Sequence, residues 1–301
     1  MKNKAIRFIT KGSIYFLLIC ICYIYMLPLL RMISSIFMPE ADIIDPAVDW
    51  IPRTFSIMNI RVAFSVLDIR ETLVNSVWYS ALLAGAQTFV SALAGYAFAR
   101  FNFRFKKVLF VLLLATFIMP LPVLLIPRWI MFVSVQTAVP GLQLIGTPIP
   151  QTLMAILGQG VNSTILILIF YSFLRLIPYS LDEAAMIDGA SAWQVFWHII
   201  IKMSLTTILV VFLFSFVWNW NETTQTATFL RGGIRLLPMQ LSMFEGLFYG
   251  AVLDTDAQGA MLNEAYRLTA TFITIAPLLI LYGFVQRFFI AGIENTGITG
   301  E

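Results

Sequence analysis

Residues 72–99 read Thr72-Leu-Val-Asn75-Ser76-Val-Trp78-Tyr79-Ser80-Ala-Leu-Leu-Ala84-Gly85-Ala-Gln87-Thr88-Phe89-Val-Ser91-Ala92-Leu-Ala-Gly95-Tyr96-Ala-Phe98-Ala99, without one Asp, Glu, Lys or Arg. A helix needs roughly 20 mostly apolar residues to cross the hydrocarbon core of a bilayer. This stretch is long enough, and its neighbours Glu71 and Arg100 close it on both sides. Charge-free windows of similar length recur at 12–30, 108–127, 203–221 and 268–286, and a longer one covers 129–174. The long one is broken by Pro140, Gly141, Gly146, Pro148, Pro150, Gly158 and Gly160. It reads as the end of one span, a turn-rich loop, and a further span near 161–177. The expectation is therefore an all-α membrane protein of six transmembrane helices. No regular ten-residue alternation suggests a barrel, and open strands cannot span lipid.

Composition agrees. Of 301 residues 59% are hydrophobic and only 12% charged, with a mean hydropathy of +0.87. Soluble domains carry about 25% charged residues, so a soluble core of this size is excluded, and disorder with it. A net charge of +3 is too small to suggest a nucleic-acid partner. Cys20 and Cys22, two residues apart in one apolar run, form neither a disulfide framework nor a metal site.

Eleven of the 19 basic residues fall in the shorter set of loops, 1–13, 99–107, 175–202 and 287–301. The opposite loops, 31–71, 128–160 and 222–267, hold most acids, among them Glu40, Asp42, Asp45, Asp49, Asp254 and Asp256. The basic excess predicts that both termini are cytoplasmic. The first window lacks a small-residue cleavage site and reads as a retained span. No ionisable residue lies deep inside a predicted span, which argues against a proton-coupled carrier.

Within 72–99, Gln87, Ser91, Gly95 and Ala99 recur every four residues, as do Ala84, Thr88 and Ala92. Small residues at this spacing let helix backbones approach closely in lipid. Two readings stand: packing inside this chain, or a helix lining a seam between subunits.

The longest inside loop reads Arg175-Leu-Ile-Pro178-Tyr179-Ser180-Leu-Asp182-Glu183-Ala184-Ala185-Met-Ile-Asp188-Gly189-Ala190-Ser191-Ala-Trp193-Gln194-Val-Phe196-Trp197-His198-Ile199. Ser180 with Glu183, and Ser191 with Gln194, have capping-box spacing. Tyr179 and Ala184 are placed for a weak staple across the first box. Gly189 sits where a left-handed residue would end the first helix. The expectation is two short helices joined at a glycine, lying at the membrane surface. Ala184 and Ala185 keep one side thin enough for a groove on a partner, and Glu183 and Asp188 offer charges. The plainer alternative is an amphipathic loop resting on headgroups.

Glu183-Ala184-Ala185-x-x-x-Gly189 resembles the EAA motif of the permease subunits of bacterial ABC importers. The fuller string, Phe173-x-x-x-Ile177-Pro178-x-x-Leu181-Asp182-Glu183-Ala184-Ala185-x-Ile187-Asp188-Gly189-Ala190 with Phe196 and Ile199, is similar to the carbohydrate-importer branch, most of all the maltose-permease G-type subunits. Trp220-Asn221-Glu222 and Gln286-Arg287-Phe288-Phe289-x-x-Gly292, then Gly297 and Gly300, fit the same branch. The resemblance implies the type I importer permease fold, with a first span and outer loop at 1–71, a permease core at 72–290 and a cytoplasmic tail at 291–301. It places the coupling loop at 178–201 between the fourth and fifth spans, and an extracytoplasmic loop at 222–267. It implies that Asp182, Glu183, Ala184, Ala185, Asp188, Gly189 and Ala190 couple to a cytoplasmic ATPase, with Ala184 and Ala185 as the flat contact.

The partners implied are a second homologous permease, two ATPase subunits, an extracytoplasmic solute-binding protein, a carbohydrate and the lipid bilayer, with this chain multi-pass in the bacterial cytoplasmic membrane. Lys202 stands where the family often has proline, so a less kinked entry to the fifth span is expected.

No Gly-Lys-Ser/Thr occurs, and no lysine follows a glycine, so a P-loop is absent from the sequence. ATP and Mg²⁺ are expected on the partner ATPase, with no cofactor and no catalytic residue in this chain. No Gly-x-Ser-x-Gly or His-Glu-x-x-His occurs either. His198, the one histidine, reads as structural or interfacial.

The outer loop 222–267 carries Arg231, Arg235, Phe244, Glu245, Phe248 and Tyr249, read either as a surface for the binding protein or as a folded cap. Trp220, Asn221, Glu222, Phe244 and Tyr249 are candidates for the substrate path or binding-protein contact. Trp218 and Trp220 read mainly as interfacial belt residues. A stand-alone ion-coupled carrier or channel, or an ABC permease for a non-sugar solute, remain the alternatives.

Overall fold

The computed structural model describes the backbone of residues 2–253 and 263–297, and side chains mainly over 10–251 and 263–287. Asp254 and Asp256 lie outside the described residues, as do Gly300 and the side chains of Phe288 and Phe289. The described residues form helices α1 (Lys2–Ile36), α2 (Glu40–Ile44), α3 (Met58–Leu67), α4 (Ile69–Arg100), α5 (Lys106–Ile118), α6 (Leu121–Ala138), α7 (Ile149–Ile156) and α8 (Ser163–Leu176). They continue as α9 (Ser180–Ile187), α10 (Ala192–Met203), α11 (Leu205–Asn221), α12 (Thr224–Leu230), α13 (Leu237–Ser242), α14 (Phe244–Leu253) and α15 (Glu264–Gly297).

Four helices, α1, α4, α6 and α15, are each long and apolar enough to cross a bilayer alone. The bent pairs α8 with α9 and α10 with α11 bring the number to six. The predicted windows 72–99, 161–177, 203–221 and 268–286 map onto α4, α8, α11 and α15. The window 108–127 does not map onto one helix. Met119 is extended at ψ 123° and Pro120 at ψ 138°, which separates α5 from α6. Pro120 brings no N–H, and its ring pushes the residue before it out of the helical region.

The chain divides into two compact units. One comprises residues 1–69 and 243–277. In it the amide of Asn59 donates to the carbonyls of Ser35 (2.9 Å) and Met38 (2.8 Å), closing the turn after α1. Phe248 on α14 meets the Tyr266 ring at 5.5 Å, and Arg267 pairs with Glu245.

The other unit comprises 70–242 and 278–301. Its core is helix-on-helix packing along α4. Ala92, Tyr96, Leu166, Phe170, Leu174, Phe196 and Ile200 form one buried cluster. Both small-residue stripes of α4 face this interior: Ala84, Gln87, Thr88, Ser91 and Ala92 are all buried. A Cβ on Gly95 would lie 2.5 Å from Phe170 Cβ, so glycine is what lets α4 and α8 meet. The stripe therefore packs within the chain, the first of the two readings.

Gln87 ties three helices. Its amide nitrogen donates to Val161 O and Ser163 Oγ, both at 2.9 Å. Its oxygen accepts from Ser215 Oγ and Asn219 Nδ2, both at 2.6 Å. Interhelical hydrogen bonds in membranes average about 0.6 kcal/mol and reach about 1.7. Gln87→Leu, close in volume, removes all four bonds, although Asn219 still donates to the Ser215 carbonyl and hydroxyl. It should lower the stability of the detergent-solubilised protein by about 2 kcal/mol, read from the midpoint of thermal aggregation. An unchanged midpoint would show that water replaces the amide.

Candidate functional site

The loop between α8 and α11 is built from its turns. Ile177 is extended at ψ 128°, as the residue before Pro178 should be, and the chain bends by 76° from α8 into α9. The Tyr179 carbonyl already accepts the N–H groups of Asp182 (3.0 Å) and Glu183 (3.1 Å). The helix thus starts one residue earlier than the Ser180 box requires. Tyr179 is the cap residue, it makes no side-chain cap, and the expected Ser180–Glu183 box does not form. Glu183 is left exposed, with no backbone cap to hold it.

The end of α9 follows the sequence reading. Gly189 has φ +87°, its N–H bonds the Met186 carbonyl, and the N–H of Ala190 bonds the Ala185 carbonyl at 2.9 Å. This is the paired-bond Schellman ending. Ser191 then caps α10: its Oγ accepts the Gln194 N–H and its own N–H donates to Gln194 Oε1 at 2.7 Å. Inside α10, Phe196–Ile200 form a π-helical turn, a feature frequent at functional sites. His198 is exposed, with Nδ1 at 3.0 Å from the Gln194 carbonyl. The entry to the fifth span is not straightened by Lys202. At Ser204 (φ −93°, ψ 8°) the chain bends by 80°.

The candidate residues separate into two faces. Glu183, Ala184, Asp188 and Gly189 point outward. Ala185 and Ala190 are half-buried against the cluster of Leu174, Ile177, Val195 and Phe196, so of the two alanines only Ala184 lies open on this face. Ile187 is 85% exposed, one helical turn from Ala184. The sequence reading did not single out this open apolar side chain, although its three-residue spacing from Ala184 places both on one helix face.

Asp182 does not face outward. It is 1% exposed, and its carboxylate lies 2.9 Å from the guanidinium of Arg100, the last residue of α4, which is 7% exposed. Oδ1 of Asp182 and Nη2 of Arg100 are buried and make no hydrogen bond. Arg100 also lies over the Tyr179 ring at 5.7 Å. Burial pushes the Asp182 carboxyl above its ordinary value, and Arg100 pulls the other way. The second span and the surface helix α9 are thus clamped together. No local signal marks this pair, because its members are far apart in the chain.

The other candidates are scattered. Trp220 is 3% exposed and packs on Phe216, so it is a core residue and not an interfacial belt. Asn221 is exposed and bonds the Val217 carbonyl at 2.9 Å. Glu222 Oε1 accepts the Gln225 N–H at 2.9 Å, capping α12. Phe244 is buried and Tyr249 exposed, both in the other unit. Over its described residues the segment 222–267 is largely helical: α12 and α13 bury Phe229, Leu230 and Leu237 in one unit, and α14 buries Phe248 in the other.

Comparison with known proteins gives a concordant result. Residues 87–295 match the family described as binding-protein-dependent transport system inner membrane component. The arabinooligosaccharides transport system permease protein of Halalkalibacterium halodurans is 26% identical, over 93% of both chains. The polygalacturonan/rhamnogalacturonan transport system permease protein of Bacillus subtilis is 26% identical, over 97% of both. A solved bacterial ABC transporter involved in import of the acidic polysaccharide alginate shares the fold. It superposes with a TM-score of 0.74 at 19% identity, covering 93% of this chain and 96% of its counterpart.

Proposed function

The chain belongs to the family of inner membrane components of binding-protein-dependent transport systems, and from that premise we propose that it is the permease subunit that passes a carbohydrate through an ATP-driven importer. It takes an oligosaccharide from an extracytoplasmic binding protein. It works beside a second, homologous permease and two ATPase subunits, in the bacterial cytoplasmic membrane with both termini inside. ATP and Mg²⁺ are held by the ATPases, and this chain performs no hydrolysis.

The observation that carries the reading is the family match over 87–295, on a chain with no phosphate-binding loop of its own. The relatives support the substrate class: arabinooligosaccharides, polygalacturonan and lactose are named for them, and osmoprotective compounds for one. The outward face of Glu183, Ala184, Ile187 and Gly189 supports the coupling role, since it is a compact protrusion with an exposed apolar side chain at its centre.

Copurification from native membranes tests the assembly. A second permease and an ATPase should come with this chain, and sugar uptake by reconstituted vesicles should require both. Uptake by this chain alone, without an ATPase, would instead establish a stand-alone carrier.

A further inference from the structure

The helical path is interrupted at Met119–Pro120, between α5 and α6, and residues 158–162 join α7 to α8 without helix. α8 has 14 residues, about 21 Å at ~1.5 Å per residue, against a hydrocarbon core of about 30 Å. Its Leu176 end opens onto the surface loop, so its Ser163 end falls inside the core. Non-helical backbone at that depth is tolerated only where protein buries it or it lines a water-filled cavity. Both breaks border one cavity of about 220 Å³, lined among others by Met119, Arg128, Gln159, Asn162, Glu222 and Gln225. That is far more than the ~10–15 Å³ one water needs, and it is the size of a single sugar ring more than of a chain.

Arg128 is the unusual member. It lies in α6, itself a candidate span, where a charge is costly and marks function. Its guanidinium donates to Gln159 Oε1 at 3.1 Å, and no carboxylate among the described residues is ion-paired with it. Glu222 shares the cavity but is engaged by the Gln225 N–H. A guanidinium has five donors in a fork that fits a carboxylate in two bonds, and most of that fork is unused.

We propose that this cavity is a subsite for one carboxylate-bearing sugar unit, with Arg128 gripping the carboxylate. Gln159, Asn162, Glu222 and Gln225 supply donors and acceptors for ring hydroxyls. The proposal rests on the carbohydrate reading and adds to it that this subunit itself touches substrate and selects acidic sugars.

The test uses the whole purified assembly in nanodiscs, without binding protein, and labelled digalacturonate as probe. Saturable binding is expected. It should weaken at least tenfold in Arg128→Gln and less in Arg128→Lys, and the uncharged dimethyl ester should compete at least tenfold worse. Equal competition by the ester, equal binding by Arg128→Gln, or no saturable binding would each overturn the proposal. Uptake of neutral oligosaccharides by reconstituted vesicles is followed in parallel. If it persists when the digalacturonate result fails, the carboxylate assignment falls and the carbohydrate reading stands. If vesicles with an active ATPase take up no sugar of either kind, the carbohydrate reading itself falls.

Discussion

Arg100→Ala should abolish coupled uptake and destabilise the surface loop by about 3–5 kcal/mol, the cost of leaving one partner of a buried ion pair uncompensated. The stranded group is Asp182, 1% exposed and with no hydrogen bond to either carboxylate oxygen. The helix α9 would then either shift to hydrate the carboxylate or take up a proton. The pH dependence follows. Burial raises the Asp182 carboxyl above its ordinary value and Arg100 opposes that rise. A carboxyl raised in the folded state gives most stability at low pH. That contribution is lost as pH climbs from the ordinary value through the folded one. Removing Arg100 raises the folded value further, so the variant's defect should be largest near neutrality and shrink on the acid side. Thermal midpoints of the variant and parent between about pH 5 and about pH 8 measure this. Arg100→Ala with Asp182→Asn should recover part of the loss, since the charge that needed compensation is gone. A pH-independent offset, or a double variant worse than the single one, would show that the pair is not the clamp.

Gly189→Val should reduce uptake at least tenfold while the assembly still hydrolyses ATP. At φ +87° a side chain is strained, by roughly 1–2 kcal/mol, and a β-branched one is a genuine outlier. Nothing lies within 4 Å of the position a Cβ would take, so the cost is backbone conformation and not collision. Relief comes by rotating φ, which breaks the Gly189 and Ala190 bonds to the end of α9 and re-aims α9 against α10. Gly189→Asn, which tolerates the left-handed region, should keep most of the uptake. If valine and asparagine behave alike, the left-handed turn is not the reason for glycine. If valine leaves uptake and coupling intact, α9 does not transmit the ATPase motion.

Much of the loop was legible because its signals are local. The Gly189 ending and the Ser191–Gln194 box depend on residues within one or two turns of each other. The Ser180–Glu183 box has the same spacing and did not form, because Pro178 and Tyr179 open the helix one residue sooner. The bend at Ser204 formed without the proline that often marks it. In both places a different residue satisfied the backbone equally well, and spacing alone does not choose between two such solutions.

The distribution of charge by itself determined the class and most of the spans, since a bare backbone or an unpaired charge in hydrocarbon has no compensation; it missed α6, which carries Arg128 inside it. Gly189 and the Ser191–Gln194 box marked the turn between α9 and α10. Tertiary structure decided which way each residue faces. It turned Asp182 inward to Arg100, buried Trp220, put the small stripe of α4 against α8 and α11 through Gln87, and set Arg128 of α6 at the edge of a polar cavity. Each of these pairs residues distant in the chain, and their partners become fixed only when the helices pack.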